Sequence, residues 1–167
     1  MGLRELVACN GIIAHRSPKC KLNMLITRRL EFDSGHRIPN HSSQCRHLHG
    51  HRYAIEVTLS GQVIVKEGAS DQGMVMDYSD VKKIAQSELV DHWDHAFLVY
   101  RGDRLVVEFL KSIPDHKTVE LDVVPTAENL ALAAFGILEP AYSRKGLVLE
   151  RVRLYETPNN WADAIKK

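Results

Sequence analysis

Cys45-Arg46-His47-Leu48-His49-Gly50-His51-Arg52-Tyr53-Ala54-Ile55-Glu56-Val57-Thr58-Leu59 decides the reading of this chain. Apolar Tyr53, Ile55, Val57 and Leu59 alternate with Arg52, Ala54, Glu56 and Thr58 before Gly61, the period-two pattern of a half-buried strand. Extended backward, the same alternation turns His49 and His51 to one face of the sheet, as a metal-chelating pair. His36 widens the cluster, since five of the nine histidines fall in the sixteen residues from His36 to His51. Three imidazoles with a fourth position left for water or substrate fit a catalytic zinc. Plainer readings stand beside this one. Histidines near turns and strand ends are often solvated surface groups, and Cys45 could close the coordination as a fourth ligand, making the metal structural. His47 also lies two residues from His49 and could replace either neighbour, so spacing alone does not choose the ligand set.

Working outward, Leu25 to Phe32 reads as a strand that pairs with the run from Tyr53 to Val65, and Glu67 to Gly73 carries turn signals that bend back to Met74 and Met76. Ser79 or Asp80 can start a helix with Val81, Ile84, Ala85 and Leu89 at helical spacing, whose end delivers Asp94 and His95. Val99 to Asp122 is a variable stretch. A second helix is expected from Ala127 to Leu138, with Thr126 as its N-cap and Glu128 favoured by the positive end of the helix dipole. Val148 to Tyr155 completes the sheet. The order implies an α+β fold, a four-stranded antiparallel sheet with two helices on one face.

Composition narrows the function classes. At 167 residues and 44% hydrophobic content the chain suits one domain from residue 24 to 167, with residues 1–23 as an irregular, flexible extension. A net charge of +1, from 22 basic and 21 acidic residues, gives no electrostatic footprint for direct nucleic-acid or membrane binding. Three cysteines, Cys9, Cys20 and Cys45, cannot all pair within one chain, and no secretory signal opens it, so a reducing cytoplasm is expected. There is no Gly-x-Gly-x-x-Gly fingerprint for a dinucleotide.

Six motifs in order carry a family resemblance: Phe32-Asp33-Ser34-Gly35-His36, the Cys-x-x-x-His-Gly-His of Cys45 to His51, Gly73 to Tyr78, Trp93-Asp94-His95, Pro125 to Asn129, and Tyr155-Glu156-Thr157-Pro158. From Met24 to Ala162 the chain resembles the 6-pyruvoyl-tetrahydropterin synthase and 6-carboxy-tetrahydropterin synthase family, and its Glu-Thr-Pro ending is similar to the bacterial carboxy branch that feeds queuosine synthesis. The resemblance implies zinc on His36, His49 and His51, with His47 a bystander. It further implies Cys45, Asp94 and His95 as the proton-transfer apparatus, Glu156 as the anchor of the pterin ring, and Thr126 and Glu128 beside the pterin pocket. Gly35 and Trp93 depart from the family's usual small alanine and aliphatic residue without touching a chemical group.

The implied reaction converts a small-molecule substrate, 7,8-dihydroneopterin triphosphate, to 6-carboxy-5,6,7,8-tetrahydropterin with release of triphosphate and acetaldehyde. The alternatives are a 6-pyruvoyl-tetrahydropterin synthase and, from another class, a non-catalytic zinc-stabilised binding protein. The resemblance also implies the tunnelling fold, in which the sheets of several subunits join into a barrel, commonly as a homohexamer of two stacked trimers.

Overall fold

The computed structural model describes residues 24–167; the extension expected over residues 1–23 lies outside them. β1 (Met24–His36) and β2 (His49–Gly61) form a long antiparallel pair, in register from Met24 opposite Gly61 to His36 opposite His49. Because opposed residues share a face, Leu30, Phe32, Ser34 and His36 of β1 lie on the same side as Tyr53, Ile55, Val57 and Leu59 of β2. The pair ends at Gly61 rather than Val65. Beyond it the chain still folds back as the turn signals imply, with the Ile64 amide donating to the Met74 carbonyl and the Gly73 amide to the Ile64 carbonyl, both at 2.8 Å. Gly73 takes a φ of 85° there, a conformation glycine adopts without steric cost.

The remaining elements are α1 (Tyr78–Ala85), a π-helical turn (Gln86–Val90), the short α2 (Asp91–Trp93), β3 (Ala96–Tyr100), α3 (Arg104–Lys111), β4 (Thr118–Leu121), α4 (Ala127–Ser143), β5 (Val148–Thr157) and β6 (Asn160–Ile165). They make one sheet of six strands in the order β4-β3-β1-β2-β5-β6. The expected four-stranded, wholly antiparallel sheet is therefore corrected. β3 runs parallel to β1, and β4 parallel to β3 through a crossover that contains α3. The stretch read as variable, Val99 to Asp122, holds the end of β3, a helix and a further strand because their short runs show too little periodicity to stand out.

α1 and α4 do cover one face, where Val81, Leu89, Leu130, Ala134 and Leu138 bury against Ile55, Val57, Val152 and Leu154. The third helix lies on the other face, since Phe97 and Val99 turn away from that core and pack with Val106, Val107 and Leu110 of α3. α1 starts one residue before Ser79, with the Asp77 side chain accepting from the Ser79 amide at 2.6 Å. α4 outruns its expected end at Leu138, continuing through Pro140 to Ser143. Tertiary packing overrides the proline: Tyr142 is fully buried and donates its hydroxyl to the Val81 carbonyl at 2.8 Å, tying α4 to α1. Trp93, the unusual residue before Asp94, is buried edge-on to Phe32, which stacks on Tyr53. No helix among the described residues is long and apolar enough to cross a membrane.

Candidate active site

The open end of the β1–β2 pair places His36, His49 and His51 together on the core face. One ring nitrogen of each lies within 4.8 Å of the other two, the only such group among the described residues. Two hydrogen bonds assign the tautomers. His36 Nδ1 lies 2.8 Å from the Pro125 carbonyl and His49 Nδ1 lies 2.8 Å from the His47 carbonyl. A carbonyl only accepts, so both Nδ1 atoms carry the proton and both Nε2 atoms, 3.1 Å apart, present lone pairs to each other. Such an arrangement asks for a cation between them. Ligands on a tetrahedral zinc stand roughly 3.3 Å apart, and backbone carbonyls on the far nitrogens are the usual support of metal-bound imidazole. His47 thus serves through its backbone, and Cys45, a half-buried free thiol, stays outside the cluster.

Burial lowers the His36 and His51 pKa values; for His36 the proton held toward Pro125 partly opposes it, and for His51 the Glu156 charge does. Both are thereby kept neutral, as ligands must be. Below the ordinary histidine pKa of about 6.5 the unfolded chain then binds protons that the folded chain refuses. The metal-free protein is accordingly expected to be most stable above that pH and to lose melting temperature as pH falls from 8 to 5.5. A flat profile in thermal denaturation would refute this, and the loss should be shallower in His51→Asn.

β5 brings Glu156 to the same place. Leu154 opposes Ile55 and faces the core, so Glu156, two residues on, returns to that face beside Tyr53, where the β5–β6 pairing is irregular. Its Oε1 lies 3.5 Å from His36 Nε2. Tyr53, fully buried with its ring against His36 and His51, belongs to the same corner; burial raises its pKa and keeps the phenol protonated. Sequence reasoning read Tyr53 only as core. Thr126 is the N-cap of α4, accepting from the Asn129 amide at 3.4 Å, and follows the Pro125 carbonyl that holds His36. Glu128 is exposed in the first turn of α4, and among the described residues no hydrogen bond or ion pair joins it to these groups.

Asp94 and His95 form a separate dyad. Although adjacent in sequence they meet, with Asp94 Oδ2 2.9 Å from His95 Nδ1, because His95 adopts a φ of 57° at the turn into β3. The turn is pinned from several sides. The Asp33 amide donates to Asp94 Oδ1 at 2.9 Å, the His95 amide donates to the Asp33 carbonyl at 2.7 Å, and Lys117 Nζ donates to the Asp91 and Asp94 carbonyls at 2.8 and 2.6 Å. Partial burial would raise the Asp94 pKa, but the Asp33 amide and His95 outweigh it and hold the carboxyl below its usual range. His95, 77% exposed, borders an open cleft of about 500 Å³ with Asp33, Arg52, Phe97, His116 and His51 of the histidine cluster. Among the described residues no hydrogen bond or ion pair joins Cys45 to this dyad.

A curled α+β sheet with three imidazoles and a carboxylate gathered at the mouth of its central strand pair defines a T-fold protein with a metal-competent histidine cluster. The chain belongs to the 6-pyruvoyl tetrahydropterin synthase family, whose model matches residues 25–166. It is similar to the 6-carboxy-5,6,7,8-tetrahydropterin synthase of Rickettsia bellii, 34% identical over 134 residues that cover 80% of this chain and 94% of that protein. The enzyme of the same name from Haemophilus influenzae is 31% identical over 141 residues, covering 83% and 96%. Among solved structures, an uncharacterized Wolinella succinogenes protein superposes with a TM-score of 0.72 at 21% identity, covering 87% of this chain and 99% of that one. The Caenorhabditis elegans 6-pyruvoyl tetrahydropterin synthase does so at 0.60 with 26% identity, covering 87% and 97%.

Proposed function

We propose that this chain is a 6-carboxy-5,6,7,8-tetrahydropterin synthase, converting 7,8-dihydroneopterin triphosphate and water to the carboxy-pterin, triphosphate and acetaldehyde in the cytoplasmic pathway to queuosine. The observation that carries it is the pair of His36 and His49 Nε2 lone pairs facing each other beside Glu156, in a chain whose relatives bear that name. Zinc held by His36, His49 and His51 would supply Lewis acidity to the hydroxyls of the substrate's three-carbon side chain and stabilise a nearby thiolate.

The chain's own groups supply the rest. Cys45 removes a side-chain proton as general base. His95, its Nδ1 proton held by Asp94, exchanges a second proton through the exposed Nε2. The freed electron pair passes into the ring, triphosphate leaves, and with addition of water the bond between the first and second side-chain carbons breaks, the first staying on the pterin as the carboxylate and the other two leaving as acetaldehyde. Glu156 accepts the amine and ring N–H of the pterin side by side, a fork geometry that orients the ring against the histidines. Thr126 and Glu128 border that pocket.

Among the described residues no hydrogen bond or ion pair joins His95 to Cys45, so we place its partner Cys45 on a neighbouring subunit. The assembly is a homohexamer of two trimers whose sheets close into a barrel. Incubating the zinc-loaded protein with 7,8-dihydroneopterin triphosphate, with mass spectrometry of the pterins and a parallel acetaldehyde assay, tests the assignment. Carboxy-tetrahydropterin with acetaldehyde is expected. Pyruvoyl-tetrahydropterin without acetaldehyde would move the chain to the pyruvoyl branch, and unchanged substrate would leave a zinc-stabilised binding protein.

A further inference from the structure

Between His36 and His49 the chain leaves the sheet and returns, carrying Cys45 on a single 3-10 turn, Gln44–Arg46, with no buried residue of its own. A segment so poor in apolar burial does not hold a thiol in place through its own packing. Two contacts tie it to the end of β1. The Ile38 amide donates to the Cys45 carbonyl at 2.7 Å, and Arg37 Nη1 donates to the Arg46 carbonyl at 3.5 Å.

Arg37 is fixed in turn by a bidentate pair to Asp103, Nε to Oδ2 at 2.5 Å and Nη2 to Oδ1 at 2.7 Å. The Asp103 side chain is only 5% exposed, and it comes from the turn between β3 and α3. Asp103 is the N-cap of α3, where a carboxylate ordinarily accepts from the amides of the first turn, yet it makes no such bond. Both oxygens are committed to Arg37 instead, an alignment that a planar guanidinium satisfies and a lysine ammonium does not. A surface ion pair has no need of this: the helix forgoes its cap, a carboxylate is buried, and the gain is a rigid strut from α3 to the chain on either side of Cys45.

We propose that the Arg37–Asp103 pair is a positioning clamp for Cys45, setting where the thiol stands relative to the histidine cluster. Neither residue touches substrate. The clamp bears on catalysis only through the reading of Cys45 as the general base, so its test needs a readout that survives the failure of that reading.

The test compares wild type, Asp103→Asn and Arg37→Lys as full-length, zinc-loaded protein below their melting temperatures. Asp103→Asn keeps the shape and removes the charge; Arg37→Lys keeps the charge and removes the fork. The first readout is the rate of Cys45 alkylation by iodoacetamide across pH, resolved from Cys9 and Cys20 by peptide mass spectrometry; the second is kcat and KM. Both variants are expected to retain zinc and to change the Cys45 alkylation rate several-fold. Where wild type turns over, kcat should drop by about ten-fold to a hundred-fold with KM little altered, as for a displaced reacting group.

A lowered melting temperature with the alkylation profile and kcat of wild type would reduce the pair to a plain structural tie and overturn the proposal. Should Asp103→Asn fail to fold, Arg37→Lys carries the same readouts and decides between the same two outcomes. If wild type itself is inactive, the proposed function fails while the alkylation arm still decides the clamp.

Discussion

Cys45→Ala is expected to cut turnover by about a hundred-fold to ten-thousand-fold, the loss associated with removing a general base, while bound zinc and melting temperature stay near wild type. The sulfur stands outside the group formed by His36, His49 and His51, so alanine removes no ligand. What ties this residue to the fold is its backbone carbonyl, accepting from Ile38, and alanine keeps it. Metal analysis and calorimetry beside steady-state kinetics check the outcome. Loss of zinc together with folded structure would mean that Cys45 closes a structural metal site, and the catalytic reading would fall with it.

Which parts of this arrangement were legible in the sequence follows from how far each signal travels along the chain. β1, β2 and the start of β5 announce themselves because one face of each is buried for many residues, and α4 announces its start through Thr126, which does cap it. β4 has four residues, all partly exposed, and gives alternation nothing to act on. β6 is an edge strand beginning in exposed Asn160 and Trp161, and α3 spans eight residues on the opposite face of the sheet. Antiparallel order was the simplest closure for three or four strands; instead the chain returns through α1 and α2 to set β3 parallel to β1, and the unseen α3 crossover then sets β4 parallel to β3.

The histidine cluster was legible for the same reason as the strands. Period two sets His49 beside His51, and the His36–His49 register then follows from the pairing. The groups that orient it were not, because the carbonyls of Pro125 and His47 carry no side-chain signature. Nor does anything local announce that Arg37, one of several arginines near the motif, meets an aspartate 66 positions away.

Mixing inactive variants is expected to restore activity, and this follows from the one mismatch between the chain and its proposed chemistry. Asp94 and His95 are paired at 2.9 Å on a cleft that His51 also lines, yet among the described residues no hydrogen bond or ion pair joins either of them to Cys45. The effort of holding His95 at positive φ, with Lys117 and Asp33 both securing the turn, makes sense if the recipient arrives with another subunit. In a symmetric ring each site would then draw Cys45 from one subunit and His95 from the next. Cys45→Ala and His95→Ala proteins should each be nearly inactive. Co-expressed in equal amounts they should recover about one quarter of wild-type activity per site, since one ordered pair of neighbours in four contributes both intact groups. If both groups came from the same chain, every mixed site would lack one of them and the mixture would stay as inactive as its parts. The recovered fraction therefore reads the subunit origin of the proton-transfer groups directly, and scaling with the product of the two subunit fractions distinguishes it from contaminating wild type.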